Sequence, residues 1–217
     1  MAAKARTTHR SLFSLLVLLL LSVPIVTLKG ADGGVVGSSR SSQCPRIPSM
    51  TAQQACGAVS GTRHMLELCL RTLRGSAGGV TVPLPVTRHA AVAVRGELDA
   101  YAATVAAATS LLDGGAVPAD DERAAFGNCM VGYGSARVAM ARVADDLRLA
   151  LASGGCDDDD RAAELKAGYT GGLRGMDGCT RAMLDFPASP LYARNLADRN
   201  VTLLAALLCS LVPAPLA

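Results

Sequence analysis

The feature of this sequence that most constrains its fold is a repeat of apolar residues at alternating steps of four and three in three long segments. In an α-helix this spacing places every member of a repeat on one face, so each segment predicts a helix with one buried side. A further segment, residues 195–212, is apolar on nearly every side and predicts a deeply buried helix. The three repeats are Ala90, Val94, Leu98, Tyr101, Val105, Ala108 and Leu112; Cys129, Tyr133, Ala136, Met140, Val143 and Leu147; and Leu165, Tyr169, Gly172, Met176, Cys179 and Met183.

Short connectors separate these segments, and Thr87 predicts the N-cap of the first long helix. Four long helices with short connectors favour an all-α fold, an up-down-up-down antiparallel four-helix bundle. Residues 48–73 predict a helical hairpin before it, with its turn at 60–62. We expect the helical domain to span 48–213 after a mobile tail over 31–47. No segment alternates strictly between apolar and polar residues, so no sheet is expected.

Residues 1–30 predict a secretory signal peptide. Basic residues precede an uncharged, leucine-rich run over 11–28, and the small residues Gly30 and Ala31 follow it. A signal anchor that stays in the membrane is the alternative, because about 18 uncharged residues are close to the minimum for a span. Pro24 and the small residues after the run favour cleavage.

Removal of this segment changes the charge of the chain. The full sequence of 217 residues has 21 basic and 18 acidic residues and a formal net charge of +3. Four basic residues and no acidic ones lie in 1–30, which leaves 17 basic residues against 18 acidic ones, a net charge of about −1. A nucleic-acid-binding domain carries a basic stripe, and none remains. We therefore expect no nucleic-acid partner and, after cleavage, no membrane partner.

The seven cysteines all lie beyond residue 43, in a chain that its signal peptide directs to an oxidising compartment, so disulfides are expected. In an antiparallel helix pair, residues equidistant from the turn lie level with each other. Cys56 and Cys69 are symmetric about the turn at 60–62, which predicts one bridge. Cys129 and Cys179 lie at similar distances from the break between the second and third long helices, on two apolar faces, which predicts another.

Three cysteines remain after these two pairs. Cys209 lies inside the apolar last helix and predicts a free, buried thiol. Cys44, in the tail, and Cys156, in a loop, form a candidate third pair.

Three short motifs, in their order and spacing, carry a resemblance to a known family. The first is Cys129, Tyr133 and Ala136, similar to a Cys-x-x-x-Tyr-x-x-Ala pattern. The second is residues 169–173 followed by Cys179 and Phe186, similar to a small-small-Leu segment with a later Cys and Phe. The third is residues 199–204, similar to a Ser-Asn-Ala-Leu-Ala helix start. Together with the signal peptide and the cysteine-bearing hairpin, they make residues 50–211 resemble the plant invertase and pectin methylesterase inhibitors.

The resemblance implies a protein inhibitor rather than an enzyme. The residues themselves show no catalytic or metal-ligand spacing, so no cofactor and no catalytic or metal site is expected. It implies a secreted protein of the plant apoplast and cell wall that forms a stoichiometric complex with pectin methylesterase and covers the substrate cleft of that enzyme. Acid invertase is the alternative partner. The Pro-Lys-Phe element associated with invertase inhibitors is absent, with only Asp185, Phe186 and Pro187 nearby, and this favours pectin methylesterase.

Other features also depart from the family pattern, and Cys44 and Cys156 are additional to it. Cys56 and Cys69 are further apart than the family's usual first pair. Gly171 and Gly172 stand where alanine or serine is commoner, and each glycine costs roughly 1 kcal/mol of helix propensity.

The other residues with chemical potential have simpler interpretations. His64 and His89 lack metal-ligand spacing and are expected at the surface. Ser135 lies in mid-helix without the Gly-x-Ser-x-Gly elbow of a nucleophile. Residues 157–160 are four aspartates that predict a solvated helix N-terminus. Asn200 begins an Asn-Val-Thr glycosylation sequon, but its helical position predicts a buried, hydrogen-bonded side chain, with a glycan as the alternative.

Overall fold

Six helices and two very short strands form the part of the chain that the structure, a computed structural model, describes: residues 47–74, 81–115, 120–153 and 159–212. The predicted signal peptide, nearly all of the predicted tail, Cys44 and Cys156 lie outside these residues, so the expectations for them remain predictions. The elements are β1 (Ser49–Met50), α1 (Ala52–Val59), α2 (Arg63–Leu73), β2 (Leu84–Pro85), α3 (Val86–Asp113), α4 (Asp120–Ser153), α5 (Asp159–Ala182) and α6 (Pro190–Cys209).

The N-terminal hairpin is confirmed, and hydroxyl side chains fix where its helices begin. At the start of α1, the Thr51 hydroxyl accepts a hydrogen bond from the Gln54 backbone N–H at 3.1 Å, and the Gln54 side chain accepts one from the Thr51 N–H at 2.9 Å. This reciprocal capping box satisfies two backbone donors that have no partner inside the helix. Thr62 caps α2 in the same way, through the Met65 N–H.

The four long helices form the predicted antiparallel bundle. They are arranged in a ring in which α3 and α5 each pack against both α4 and α6. Hydrogen bonds show that α3 and α6 run antiparallel. Tyr101 is hydrogen-bonded to Thr202, and Thr104, later in α3, is hydrogen-bonded to Asp198, earlier in α6. The hairpin packs against α3 and α6. The all-α, disulfide-stabilised fold class is therefore confirmed.

The start of α3 differs from expectation. Met50 pairs with Leu84 and Ser49 with Pro85 in a two-residue antiparallel ladder, although no sheet was expected. Strands this short contain no alternation that a sequence pattern can register. Because the ladder fixes the chain at Pro85, α3 begins at Val86, and Thr87 lies buried inside the first turn instead of capping the helix.

The buried faces are confirmed for α4, where all six members of the apolar repeat are inaccessible to solvent. The expectation for α6 is wrong in part. The first half of this helix exposes Leu196 and Arg199, whereas its second half, from Thr202 onward, is largely buried. The helix also directs Asn195 and Asp198 into the core. In the described ranges, no helix is long and apolar enough to cross a membrane.

Glycines bring α4 and α5 unusually close together. A Cβ atom built on Gly132 would lie 2.6 Å from the carbonyl oxygen of Gly175, and one built on Gly175 would lie 2.6 Å from the carbonyl oxygen of Gly132. One helical turn further along, a Cβ atom on Gly172 would lie 2.6 Å from Met140 Sδ. The glycines that weaken the helix propensity of α5 therefore permit the contact between these helices. We call this contact the glycine seam.

The seam predicts opposite effects for two neighbouring glycines of α4. Gly132→Ala should destabilise the protein by about 1–3 kcal/mol, since the new methyl group meets backbone that cannot move without separating the helices. Gly134→Ala is the matched control, because nothing lies within 4 Å of its built Cβ atom. The control should stabilise the protein by up to about 1 kcal/mol through helix propensity. Denaturant unfolding of both variants measures the difference, and equal effects would contradict the seam.

Candidate functional site

Within residues 47–74, 81–115, 120–153 and 159–212, two disulfides tie the fold together. Cys56 is bonded to Cys69, with Cα atoms 5.6 Å apart, and this bridge joins α1 to α2. Cys129 is bonded to Cys179 across the glycine seam, with Cα atoms only 3.8 Å apart, closer than in most disulfides. Cys209 is a free, buried cysteine, and burial raises the pKa of its thiol.

The core between α3, α4 and α6 contains a polar network that the sequence analysis did not predict. Asp198 Oδ2 accepts hydrogen bonds from the Thr104 hydroxyl and from the Tyr133 hydroxyl, both at 2.7 Å. All three side chains are buried. One carboxylate of α6 thus holds residues of two other helices in register.

A second carboxyl group extends the network along α3. Glu97 is completely buried, and its Oε1 atom is hydrogen-bonded to the Tyr101 hydroxyl. The Tyr101 hydroxyl is also hydrogen-bonded to Thr202 Oγ1, at 2.7 Å. Burial raises the pKa of Glu97 to about 7, and the charge of Asp198 adds to the increase, while the hydrogen bond with Tyr101 opposes it.

Asn195 brings α5 into the same system of buried polar contacts. Its Oδ1 atom accepts a hydrogen bond from the Thr180 hydroxyl at 2.6 Å, and its amide nitrogen donates to the Met176 carbonyl at 3.4 Å. All four bundle helices therefore contribute polar partners to the core. A sequence signal for it exists, because Glu97, Tyr101 and Thr104 on α3, and Asn195, Asp198 and Thr202 on α6, follow the same steps of four and three as the apolar repeats.

This network is sealed from solvent, so it offers no surface to a substrate. Glu97 is 0% exposed and Asp198 7% exposed. In the described part of the chain, no group of three or more His, Cys, Asp or Glu residues is placed to hold a metal ion. The arrangement fixes helix register.

The two histidines differ from each other. His64 is exposed, as expected. The expectation for His89 is wrong, because this side chain is fully buried and its Nε2 atom lies 2.8 Å from the Met50 carbonyl oxygen. His89 lies in the first turn of α3, and its contact with Met50 links the bundle to the N-terminal segment.

Asn200 does not occupy the core position expected of it. It is half-buried, whereas Asn195 is the asparagine that is buried and hydrogen-bonded. The cause is the polar network, which turns α6 so that Asp198 and Thr202 face inward. Thr202, the third residue of the sequon, is fully buried, and glycosylation of Asn200 remains an untested prediction.

The outward face of α4 is the most distinctive exposed surface of the described chain. Val131 is 70% exposed and Val138, two turns later, is 56% exposed. No charged residue lies on the line between them or for two turns before it, although the exposed side of a bundle helix is normally charged. We call this surface the neutral stripe of α4; its exposed residues are Ala124, Gly127, Asn128, Val131, Gly134, Ser135 and Val138.

The disulfides predict a defined cysteine pattern in the purified protein. Peptide mapping without reduction should link Cys129 to Cys179 and Cys56 to Cys69, and Cys209 should react with an alkylating reagent only after unfolding. The double variant Cys129→Ala with Cys179→Ala should lose about 4 kcal/mol of stability, because the bridge closes a loop across 50 positions. Cys209→Ala is the control: it keeps both bridges, so reducing agent should destabilise it as much as it destabilises wild type. Free thiols at both Cys129 and Cys179 would contradict the register of α4 and α5.

The polar network predicts a measurable cost for the loss of one hydroxyl. Tyr133→Phe keeps the ring but removes one donor to Asp198, so it should destabilise the protein by about 1–3 kcal/mol. Tyr192→Phe is the control, because Tyr192 is a half-buried tyrosine of α6 outside this network. Denaturant unfolding gives both values. A cost no larger for Tyr133 than for Tyr192 would show that the hydrogen bond to Asp198 contributes nothing.

Comparison with known proteins adds one finding. No protein-family model matches the chain, and no curated protein matches it at a significant level. Among solved structures, the chain is similar to a mutant form of a pectin methylesterase inhibitor from Arabidopsis, with 15% sequence identity and a TM-score of 0.58. The match covers 75% of this chain and 97% of the inhibitor. At this identity the similarity shows the fold, so the chain has the all-helical fold of a known enzyme inhibitor.

Proposed function

We propose that this protein is a secreted inhibitor of pectin methylesterase, acting in the plant apoplast and cell wall. It would form a stoichiometric complex in which one face of the bundle covers the enzyme's substrate cleft. The observation that carries the proposal is the structural match, because it includes nearly the whole of a pectin methylesterase inhibitor. The two disulfides fit a protein that folds in an oxidising, extracellular compartment.

The interior of the bundle suits this role. An inhibitor that binds as a preformed surface loses little conformational entropy on docking. Here the Cys129–Cys179 bridge fixes α4 against α5, and the hydrogen bonds to Asp198 fix α3 and α4 against α6. The polar groups of the core are sealed from solvent, so in this role the protein binds its target through surface residues.

The neutral stripe of α4 is the surface we assign to the enzyme contact. The cost of removing water from a surface is small where it holds no charge, and Val131 and Val138 provide apolar area that gains from burial. Arg137 and Arg142 border the stripe and are exposed. Charged residues around an apolar centre are the usual arrangement of a protein–protein interface.

Titration against two enzymes tests the proposed function. The mature protein, added to pectin methylesterase at acidic pH, should abolish activity at a defined molar ratio. Acid invertase, assayed in parallel, is the alternative target, and the absence of the Pro-Lys-Phe element predicts that its activity is unaffected. Inhibition of invertase alone would replace the proposed target with the alternative one. Inhibition of neither enzyme would refute the inhibitor function.

Substitutions in the neutral stripe test the surface. Val131→Arg and Val138→Arg should each weaken inhibition by about 10- to 100-fold, as expected for an apolar contact at the centre of an interface. Leu196→Arg is the matched control, because Leu196 is an exposed apolar residue of α6, outside the stripe. All three variants should unfold at similar denaturant concentrations, since the replaced side chains are exposed. Equal inhibition by all three would place the interface elsewhere on the protein.

A further inference from the structure

Three successive hydrogen bonds link Glu97 on α3 to the backbone of α6. Glu97 Oε1 is bonded to the Tyr101 hydroxyl, the Tyr101 hydroxyl lies 2.7 Å from Thr202 Oγ1, and Thr202 Oγ1 lies 2.9 Å from the Asp198 carbonyl oxygen. Each of these bonds needs one proton between its two oxygen atoms. The hydroxyls of Tyr101 and Thr202 supply two protons, and the Asp198 carbonyl oxygen supplies none.

The third proton has one source in this chain of bonds, the carboxyl group of Glu97. When the carboxyl is protonated, Glu97 donates to Tyr101, Tyr101 donates to Thr202, and Thr202 donates to the Asp198 carbonyl. The other carboxyl oxygen, Oε2, has no hydrogen-bond partner in the described structure. A buried carboxylate oxygen without a partner is costly, whereas the carbonyl oxygen of a neutral acid is much less so.

Among the described residues, no positive charge near Glu97 favours its ionised state. Tyr101 comes from its own helix, Asp198 and Cys209 come from α6, and Tyr133 of α4 packs against the Tyr101 ring. All are neutral or acidic, and no cation contributes to the environment that shifts the pKa of Glu97. The buried residues of the hairpin are apolar or disulfide-bonded.

We propose that Glu97 is a neutral carboxylic acid in the folded bundle and that its ionisation makes the protein a pH-sensitive scaffold, most stable under acidic conditions. Ionisation removes the proton that Glu97 donates to Tyr101 and leaves a second buried negative charge near Asp198. The hydrogen bonds between α3 and α6 weaken as a result. This property concerns the fold itself and holds whichever enzyme the protein inhibits.

The direction of the pH dependence follows from the raised pKa. The ordinary pKa of the Glu97 carboxyl is 4.5, and burial raises it to about 7 in the folded protein. The folded state therefore holds the proton more tightly than the unfolded state. The resulting stabilisation is fully present below about pH 4.5 and is lost as the pH rises through about 7.

The experiment compares wild type with Glu97→Gln in denaturant unfolding from about pH 4.5 to about pH 8. The glutamine amide stays neutral and donates a proton to Tyr101 at every pH. The unfolding constant of wild type, divided by that of the variant, should therefore rise by up to about 100-fold across this range. Glu67→Gln is the control, because Glu67 is exposed and paired with Arg63. The unfolding constant of wild type divided by that of Glu67→Gln should change by no more than about 2-fold over the same pH range.

A second variant and a spectroscopic measurement keep the test decisive if Glu97→Gln folds poorly. Glu97→Met also removes the ionisable group and should give the same pH trend. The infrared difference spectrum between wild type and either variant should show the carbonyl band of a protonated acid at about pH 5 and a carboxylate band at about pH 8. A carboxylate band at about pH 5, or a ratio that does not change with pH, would overturn the proposal.

Discussion

The close approach of α4 and α5 is the constraint on which the rest of the bundle depends. Gly132 and Gly175 remove the side chains that would hold the two helices apart, and the Cys129–Cys179 bridge fixes them at that distance. The gain is large, because packing at this distance brings many atoms of both helices into van der Waals contact. The loss of helix propensity at each glycine, about 1 kcal/mol, is small beside it.

The other two helices are positioned by specific polar contacts instead. An apolar interface between α3 and α6 would tolerate a rotation or a shift by one turn, since apolar contacts have little directionality. The hydrogen bonds to Asp198 do not tolerate it, because Thr104 and Tyr133 meet the same carboxylate oxygen from two different helices. Buried polar groups of this kind add specificity more reliably than net stability. Because these hydrogen bonds turn Asp198 and Thr202 of α6 inward, Asn200 lies on the side of the helix that is exposed or half-buried.

The sequence predicted what depends on periodicity and symmetry: the helices, their antiparallel order and the cysteine pairs across each turn. It did not predict the polar core, because the apolar repeat of α3 was assigned through Leu98 and Val105, which are half-buried. Glu97 and Thr104, one position earlier in each case, occupy the buried centre. A search restricted to apolar residues cannot find a face whose centre is polar, and the burial of His89 was missed for the same reason.

The neutral stripe of α4 could not be recognised from the sequence for the opposite reason: it exposes apolar residues. Val131 and Val138 are valines at helical spacing, and such a pair is usually interpreted as core. In α4 the core face is already complete without them, since the repeat from Cys129 to Leu147 fills it. The protein therefore places carboxyl groups inside the bundle and apolar side chains outside it. Departures from the usual pattern of apolar interior and charged exterior concentrate where a protein binds a partner or responds to its surroundings. Glu97 inside and the neutral stripe outside are the two departures on which the proposed pH response and the proposed enzyme contact rest.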